Sequence, residues 1–201
     1  GIALGHRRLS IVDLSAAGHQ PMVSSSGRFV IAFNGEIYNH SDLRTELNAL
    51  AHDWRGHSDT ETLLAGFDAW GVEATLHKCV GMFAIALWDR EARTLTLARD
   101  RIGEKPLYYG WQGSGDSAIF LFGSELKALL AHPLLRREVD PLAVEDYLTW
   151  GYVPDHRAFL QGVEKLPAGH FLLLRHDAEP PAPSQWWDVS FAGRRSGSEQ
   201  D

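Results

Sequence analysis

The chain has 201 residues, 44% of them hydrophobic, which is enough for one sizeable core, is short for two domains, and excludes an intrinsically disordered chain. Its formal net charge of -7 argues against a nucleic-acid or anionic-membrane surface, and no apolar run reaches transmembrane length. A single cysteine, Cys79, excludes an internal disulfide framework and cysteine-based zinc sites, and it fits a reducing compartment.

Short apolar strands dominate the predicted structure. Their residues are rich in β-branched and aromatic types. The predicted strands are 28–33, 81–89, 94–99, 106–111, 118–124 and 170–175. The short polar connections "DREAR" and "QGSGDS" predict antiparallel hairpins. Several strands are apolar on both faces, so we expect another sheet and helices to cover them.

The first strand runs into Asn34-Gly35, a strong turn signal. A simple hairpin would continue with a second alternating strand. Here a polar cluster follows instead, beginning with Glu36, and then a helix starts. The sequence therefore predicts a polar turn that binds something.

Four helices are predicted between and after the strands, at 41–50, 58–71, 124–133 and 140–154. Ser41, Ser58, Ser124 and Asp140 stand at their starts as capping residues. Ser58 is followed by Glu61 in capping-box spacing, Gly71 ends the second helix and Pro141 takes the first position of the fourth.

Metal and phosphate sites are not predicted. The chain has ten histidines, but the closest pair that could share a site, His52 and His57, suits neither a helix face nor a strand face, and no His-Glu-x-x-His pattern occurs. The Gly-rich segment 113–117 faintly resembles a phosphate-binding loop. It lies between two strands, with no following helix to hold an anion, which favours a hairpin turn.

Cys79 invites two readings. His77 or Lys78 could lower the pKa of its thiol and make it a nucleophile. Its downstream neighbours are apolar, however, and buried structural cysteines are far more common. The structural role is therefore favoured.

Three further features of the sequence each have an ordinary structural explanation when they are considered separately. Arg8 can be a charge on a strand face, Asn34-Gly35 a plain turn, and Asp59 an acid placed at the positive end of a helix dipole. An arginine, an Asn-Gly pair with an adjacent Glu36, and an aspartate at a helix start form a set that indicates a binding site.

Eight motifs, in order from residue 5 to about Trp187, resemble one known family. They are "GHRRLSIVD", "GHQPM", "FNGEIYNH", "GHSDTE", "GMFAIALWD", "RDRIGEKPLYYG", "FGSELKAL" and "VEKLPAGH". Together they resemble the glutamine amidotransferase domain of glutamine-hydrolysing asparagine synthetases, a class II amidotransferase. The resemblance implies an α+β fold, a four-layer αββα sandwich of mostly antiparallel sheets of the N-terminal-nucleophile hydrolase type.

The family's chemistry, so implied, uses a cysteine as first residue of the mature chain. Its thiol attacks the side-chain amide of glutamine, its α-amino group serves as base, ammonia leaves and the thioester is hydrolysed. Asn34 and Gly35 correspond to the oxyanion hole, through the asparagine side chain and the glycine N–H. Glycine also lets the substrate approach the backbone closely.

The resemblance also assigns the residues that hold glutamine. Arg8 corresponds to the clamp on the α-carboxylate, for which a planar guanidinium offers two parallel donors. Glu36 and Asp59 correspond to acceptors for the α-ammonium group, and the backbone of Ile11 and Val12 lines the same pocket. Opposite charges at the two ends of the pocket would select a free amino acid.

By this resemblance, residues 1–187 form a partial amidotransferase domain and 188–201 a tail or linker. The opening segment with the nucleophilic cysteine is expected to be missing, because the sequence starts without methionine and already in strand-like alternation. The chain alone is then expected to bind L-glutamine without hydrolysing it. No cofactor or metal is expected in it.

Further partners follow from the same resemblance. ATP and Mg²⁺ are expected in an absent synthetase domain, which would be the partner of this one in a cytoplasmic protein, and a homodimer is left open. Two alternatives also stay open: a related amidotransferase with another carboxylate acceptor, such as a sugar in polysaccharide biosynthesis, and a cysteine-less relative that serves as a binding or structural module.

Overall fold

The computed structural model describes residues 1–7, 13–50, 52–175 and 181–190. The strands of this part are β1 Met22–Val23, β2 Phe29–Ile37, β3 Gly81–Asp89, β4 Thr94–Arg99, β5 Tyr108–Gln112, β6 Ile119–Gly123, β7 Glu164–Lys165, β8 His170–Arg175 and β9 Ser184–Gln185. Its α-helices are α1 His40–Asn48, α2 Asp59–Trp70, α3 Val72–Lys78, α4 Leu126–Leu130 and α5 Pro141–Trp150.

The strands form two antiparallel sheets. The large sheet has the order β1-β2-β3-β4-β8-β9, and the small sheet has the order β6-β5-β7. The predicted hairpins β3–β4 and β5–β6 are both present. The predicted strands 81–89, 94–99 and 170–175 are confirmed at both ends, because their apolar runs are bounded by polar turns.

The helices α1, α2 and α3 cover one face of the large sheet. Leu43 of α1, Phe67 of α2 and Leu76 of α3 share a core cluster with Ile31 of β2 and Ile85 of β3. Each of these side chains is at most 3% exposed. This packing explains why β3 is apolar on the face toward the helices.

The small sheet covers the other face of the large sheet. Leu97 of β4 and Leu172 of β8 share a second core cluster with Tyr109 of β5 and the partly buried Phe122 of β6. A third cluster joins the far face of the small sheet to Leu129 of α4. The layers therefore run helix, sheet, sheet, helix, which confirms the predicted αββα sandwich.

The predicted turn at Asn34-Gly35 is wrong. Strand β2 continues through both residues to Ile37 and pairs with β3 without a break, from Phe29 opposite Asp89 to Ile37 opposite Gly81. A β-carbon on Gly35 would lie 2.1 Å from the carbonyl oxygen of Met82, so the glycine serves close packing of two strands instead of a turn.

Two predicted helix starts also differ from the structure. Helix α1 begins at His40, one residue before Ser41, since the Asn39 side chain donates to the Lys78 carbonyl and accepts from the Val80 N–H. Helix α4 begins only at Leu126, because the chain from Ser124 is still leaving β6. Helix α3, which the sequence analysis did not predict, lies between Gly71 and Cys79.

The predicted caps of the second and fourth helices are confirmed, whereas α1, α4 and α5 end at Asn48, Leu130 and Trp150, earlier than the predicted bounds 50, 133 and 154. The Ser58 hydroxyl accepts from the Glu61 N–H, and Asp140 caps α5 ahead of Pro141. Gly71 ends α2 at φ +85°, where a side chain would be strained. The Glu61 carboxylate, however, does not return to Ser58 as a capping box requires.

The segment around Pro181 and Pro183, which precedes the predicted tail, carries structure as well. Within it, β9 pairs with β8, and the Trp186 ring stacks on Phe83 at a centroid distance of 6.0 Å. The Trp186 indole N–H donates to the Arg99 carbonyl, which fixes the segment at the end of β4. Residues 191–201 of the predicted tail lie outside the described part of the chain.

None of the helices in the described residues combines the length and apolar character that crossing a bilayer requires.

A cavity of about 1050 Å³ lies between the two sheets. Apolar side chains dominate its walls, among them Ala86 and Trp88 of the large sheet and Phe120 and Phe122 of the small sheet. Interiors of proteins are normally packed with few voids larger than a water molecule. A space of this size within the two-sheet core is therefore unusual.

We expect a polypeptide of residues 1–201 to bind the dye 1-anilinonaphthalene-8-sulfonate and to associate, because this open apolar space takes up aromatic probes and other chains. Dye fluorescence and size-exclusion chromatography measure the two effects, with the guanidinium-unfolded chain as control. A monodisperse monomer that melts sharply and leaves the dye dark would contradict the expectation.

Candidate active site

The structure brings four of the predicted site residues together at one end of β2. Asn34, Gly35 and Glu36 are consecutive on the strand, and Asp59, the first residue of α2, binds the next residue, Ile37. The remaining three, Arg8, Ile11 and Val12, lie outside the described residues.

Strand alternation separates the directions of these groups. Asn34 and Glu36 point toward the small sheet, and Asn34 lines the cavity between the sheets together with Gly5 and His6. Asn34 is exposed there, so its carboxamide can reach a ligand. Gly35 and Ile37 face the helix layer on the other side.

The close approach of β2 and β3 depends on two glycines. A β-carbon on Gly35 would meet the Met82 carbonyl oxygen at 2.1 Å, and one on Gly81 would meet the Glu36 carbonyl oxygen at 2.2 Å. Distances below 3.0 Å to backbone atoms require the strands to separate. Each glycine thus sets the β2–β3 spacing at its own position, and at Gly35 this spacing fixes the N–H.

The backbone of β2 presents its odd-numbered N–H groups to the edge that faces away from β3. This follows from Phe83 of β3, which exchanges hydrogen bonds with Asp100 on its other side and so cannot also pair with Gly35 opposite it. Beyond the short strand β1, the Gln20 and Asp59 side chains cover this edge. The Gln20 carboxamide oxygen accepts from Phe33 N–H at 2.6 Å, and an Asp59 oxygen accepts from Ile37 N–H at 3.0 Å.

The Gly35 N–H lies between these two capped groups. Within residues 1–7, 13–50, 52–175 and 181–190, no group accepts a hydrogen bond from it. The glycine is partly exposed. The strand is held in place by the hydrogen bonds of the Phe33 and Ile37 N–H groups. The Gly35 N–H between them can therefore bind an anionic or carbonyl oxygen without reorganisation of the backbone.

Asp59 is buried, with 5% of its surface exposed. Its two oxygens accept from the backbone N–H groups of Ile37 and Thr60 at 3.0 and 2.9 Å. Burial raises the pKa of Asp59, while these two N–H groups and the charge on His40 act in the opposite direction. When ionised, it is a buried negative charge that a bound cation would stabilise.

The loop before α2 is held by two other acids. Glu61 accepts from the N–H groups of Arg55 and Gly56 and forms an ion pair with Arg44 at 3.1 Å. The Asp13 carboxylate accepts from His57 N–H at 2.9 Å and so ties the chain directly after Val12 to this loop. Asp59 is therefore positioned by a network that reaches three parts of the chain.

Among the described residues, no group of three His, Cys, Asp or Glu side chains is placed to hold a metal ion. The segment 113–117 is a hairpin connection between β5 and β6 that includes a short 3₁₀ turn, in agreement with its predicted role.

No role was predicted from the sequence for Gln20, which binds Phe33 N–H, or for Asp13, which binds His57 N–H. The signal available was that Gln20 lies in the motif "GHQPM" and Asp13 in the motif "GHRRLSIVD". A buried side chain that accepts from a distant backbone N–H has no local sequence pattern.

Cys79 lies in the core at the end of α3, 1% exposed. Burial raises the pKa of its thiol to about 12, against a smaller opposite effect of the Arg101 charge. At neutral pH the group is therefore a thiol, and the thiolate needed for nucleophilic attack is absent. The structure agrees with the structural role.

We expect Cys79→Ala, in the natural protein that contains this chain, to leave the rate of catalytic turnover nearly unchanged. It should lower the free energy of unfolding by about 1 kcal/mol, because it removes one small buried group. Labelling with a thiol reagent should be slow in the folded protein and complete after unfolding. A large loss of turnover at an unchanged melting temperature would contradict the structural assignment.

Comparison with known proteins gives the family of the chain. The family described as "Glutamine amidotransferase domain" matches residues 1–187. Asparagine synthetase [glutamine-hydrolyzing] 3 of Bacillus subtilis is 38% identical over 180 residues, which cover 88% of this chain and 28% of that protein. Asparagine synthetase [glutamine-hydrolyzing] 1 of the same organism is 36% identical over 178 residues, covering 89% of this chain and 27% of that protein.

The fold is also found among solved structures. The glutamine phosphoribosylpyrophosphate amidotransferase of B. subtilis, solved with ADP and GMP, matches 90% of this chain and 34% of its own with a TM-score of 0.60 and 18% identity. This similarity shows the fold alone. The chain spans less than a third of the length of the two asparagine synthetases described above. With the family match across almost the whole sequence, the chain belongs to the glutamine amidotransferase domain family.

Proposed function

We propose that the end of β2 is a glutamine-binding and glutamine-hydrolysing site. The observation that carries the proposal is the open Gly35 N–H between the capped Phe33 and Ile37 N–H groups. With the Asn34 carboxamide on the adjacent residue, it offers two donors for the oxygen that becomes negative when a nucleophile attacks the side-chain amide.

The charged groups around this strand end match the other end of glutamine. Asp59, buried beside Ile37, and Glu36, two residues along from Asn34, would accept from the α-ammonium group. Arg8 would bind the α-carboxylate, and the backbone of Ile11 and Val12 would complete the pocket, as the family resemblance implies. A pocket of this kind selects a free amino acid over an amide within a protein.

The nucleophile is proposed to be the thiol of a cysteine at the start of the mature polypeptide, since Cys79 is inert. Its attack on the amide carbon releases ammonia and leaves a thioester, which water hydrolyses to glutamate. A polypeptide of residues 1–201 would accordingly bind glutamine without releasing glutamate.

The ammonia is proposed to serve the ATP-dependent amidation of aspartate, because the relatives that this chain resembles over most of its length are named glutamine-hydrolysing asparagine synthetases. ATP and Mg²⁺ would bind a separate synthetase domain in a cytoplasmic enzyme.

The test uses the natural protein that contains this chain. Glutamate release from L-glutamine is measured beside two analogues, glutaramate, which lacks the α-ammonium group, and 4-aminobutanamide, which lacks the α-carboxylate. Both analogues should be poor substrates, and ATP with aspartate should yield asparagine. Absence of glutamate release would overturn the site, and glutamate release without asparagine would overturn only the proposed acceptor.

A further inference from the structure

The Gln20 side chain bridges the two elements that carry the site. Its carboxamide oxygen accepts from Phe33 N–H on β2 at 2.6 Å, and its amide nitrogen lies 3.4 Å from the Thr60 hydroxyl in the first turn of α2. Phe33 is two residues from Gly35, and Thr60 follows Asp59. One side chain thus contacts the strand with the open N–H and the helix with the buried carboxylate.

A small displacement of the Gln20 side chain would affect both β2 and α2. Gln20 is 8% exposed and Thr60 is 3% exposed, so water does not readily replace either group. Before Met22, which pairs with Ile31, β1 no longer pairs with β2, and in the described part of the chain the Gln20 and Asp59 side chains hold the edge from Phe33 to Ile37. Asp59 fixes it on the far side of Gly35 and Gln20 on the near side.

We propose that Gln20 is a positioning residue for glutamine hydrolysis, which sets the direction of the Gly35 N–H and its place relative to Asp59. This rests on the proposed function. Gln20 would not touch glutamine. It would act by fixing the Phe33 N–H, and its loss would let the β2 edge shift toward the space that the substrate occupies.

A matched control exists in the small sheet. Gln112 is also a buried glutamine, 4% exposed, and its carboxamide likewise joins two chain segments, accepting from Arg136 N–H at 3.0 Å and donating to the Gly162 carbonyl at 3.0 Å. It lies on β5 of the small sheet, and its bonded partners, Arg136 and Gly162, belong to neither β2 nor α2. Gln20→Met and Gln112→Met therefore remove similar buried bridges, and only the first adjoins the site.

The experiment measures glutamate release from L-glutamine and thermal melting for both variants in the natural protein that contains this chain. Both should melt lower than the parent. A misplacement of about 1 Å in a catalytic group can cost about 100-fold in rate, so we expect kcat of Gln20→Met to fall by about 10- to 100-fold, with a smaller change in KM. Gln112→Met should keep the parent kcat.

If a methionine variant does not fold, Gln20→Asn and Gln112→Asn give the same comparison, since asparagine keeps a buried amide but withdraws it by one methylene. Gln20→Glu keeps an acceptor for Phe33 N–H and should restore most of kcat. Equal kcat values for the Gln20 and Gln112 variants would overturn the positioning role and leave the proposed function intact. A parent protein that releases no glutamate would overturn both.

Discussion

Gly35→Ala should destabilise the fold and abolish most glutamine hydrolysis. The new β-carbon would lie 2.1 Å from the Met82 carbonyl oxygen and 2.7 Å from the Phe83 α-carbon. Both are backbone atoms of a buried strand that cannot move alone, so β2 and β3 must separate. We expect a loss of about 3 kcal/mol in the free energy of unfolding, at the upper end for overpacking.

The loss of kcat in Gly35→Ala should be larger than the fraction of unfolded protein can explain. Alanine keeps the N–H but moves it, and removal of one such donor costs about 100- to 1000-fold in kcat. Gly81→Ala is the matched control, because its β-carbon would meet the Glu36 carbonyl oxygen at 2.2 Å and strain the same strand pair. Gly5→Ala, with no atom within 4 Å of the new carbon, controls for the substitution itself.

Chemical denaturation gives the stability of the three variants and steady-state kinetics their kcat. At a temperature where Gly35→Ala and Gly81→Ala are both folded, the Gly35 variant should have the much lower kcat. Equal kcat values for the two would mean that Gly35 acts only through strand packing and donates nothing to the substrate.

Asp59→Asn should weaken glutamine binding by at least about 30-fold, which corresponds to about 2 kcal/mol for loss of one partner of a buried charge pair. Asparagine retains one oxygen for the Ile37 and Thr60 N–H groups, which now use two. Loss of an acceptor and removal of a buried charge act on stability in opposite directions. The free energy of unfolding should therefore change by no more than about 1 kcal/mol.

The same carboxylate predicts how binding depends on pH. Because burial raises the pKa of Asp59, the folded protein keeps its proton to a higher pH than an unfolded chain does. The folded state thus binds more protons across this window, and the contribution of Asp59 to stability falls as pH rises from the unfolded pKa through the folded one. Only the ionised form attracts an α-ammonium group, so bound glutamine stabilises the carboxylate.

Calorimetric titration with glutamine should accordingly show affinity falling as pH is lowered from about 7 to about 4, around and above the ordinary pKa of aspartate. Asp59→Asn should remove the part of this dependence that Asp59 causes. Asp68→Asn, an exposed carboxylate on the same helix, should bind as the parent does. A parent-like affinity in Asp59→Asn would limit Asp59 to holding the Ile37 and Thr60 N–H groups.

Much of the fold was predictable because the relevant signals are local. The strand 81–89 is a long apolar run whose pattern on both faces required cover on both sides, and the strand 94–99 follows it after a polar hairpin connection. Ser58, Gly71 and Asp140 mark helix ends by their own backbone chemistry. By resemblance the motifs predicted site roles for Asn34, Gly35, Glu36 and Asp59, and the structure places these four close together, while their roles stay a prediction.

What the sequence by itself determined is the alternation of short strands and capped helices, and the polar residues that follow the first long strand. Only the tertiary structure decided that Asn34-Gly35 continues β2, because a turn signal depends on two residues while the nine-residue pairing with β3 outweighs it. It also decided that the Gln20, Asp13 and Asp59 side chains accept from backbone N–H groups distant in sequence around the candidate site. Such contacts have no local pattern, since the acceptor's position is set by how the layers pack.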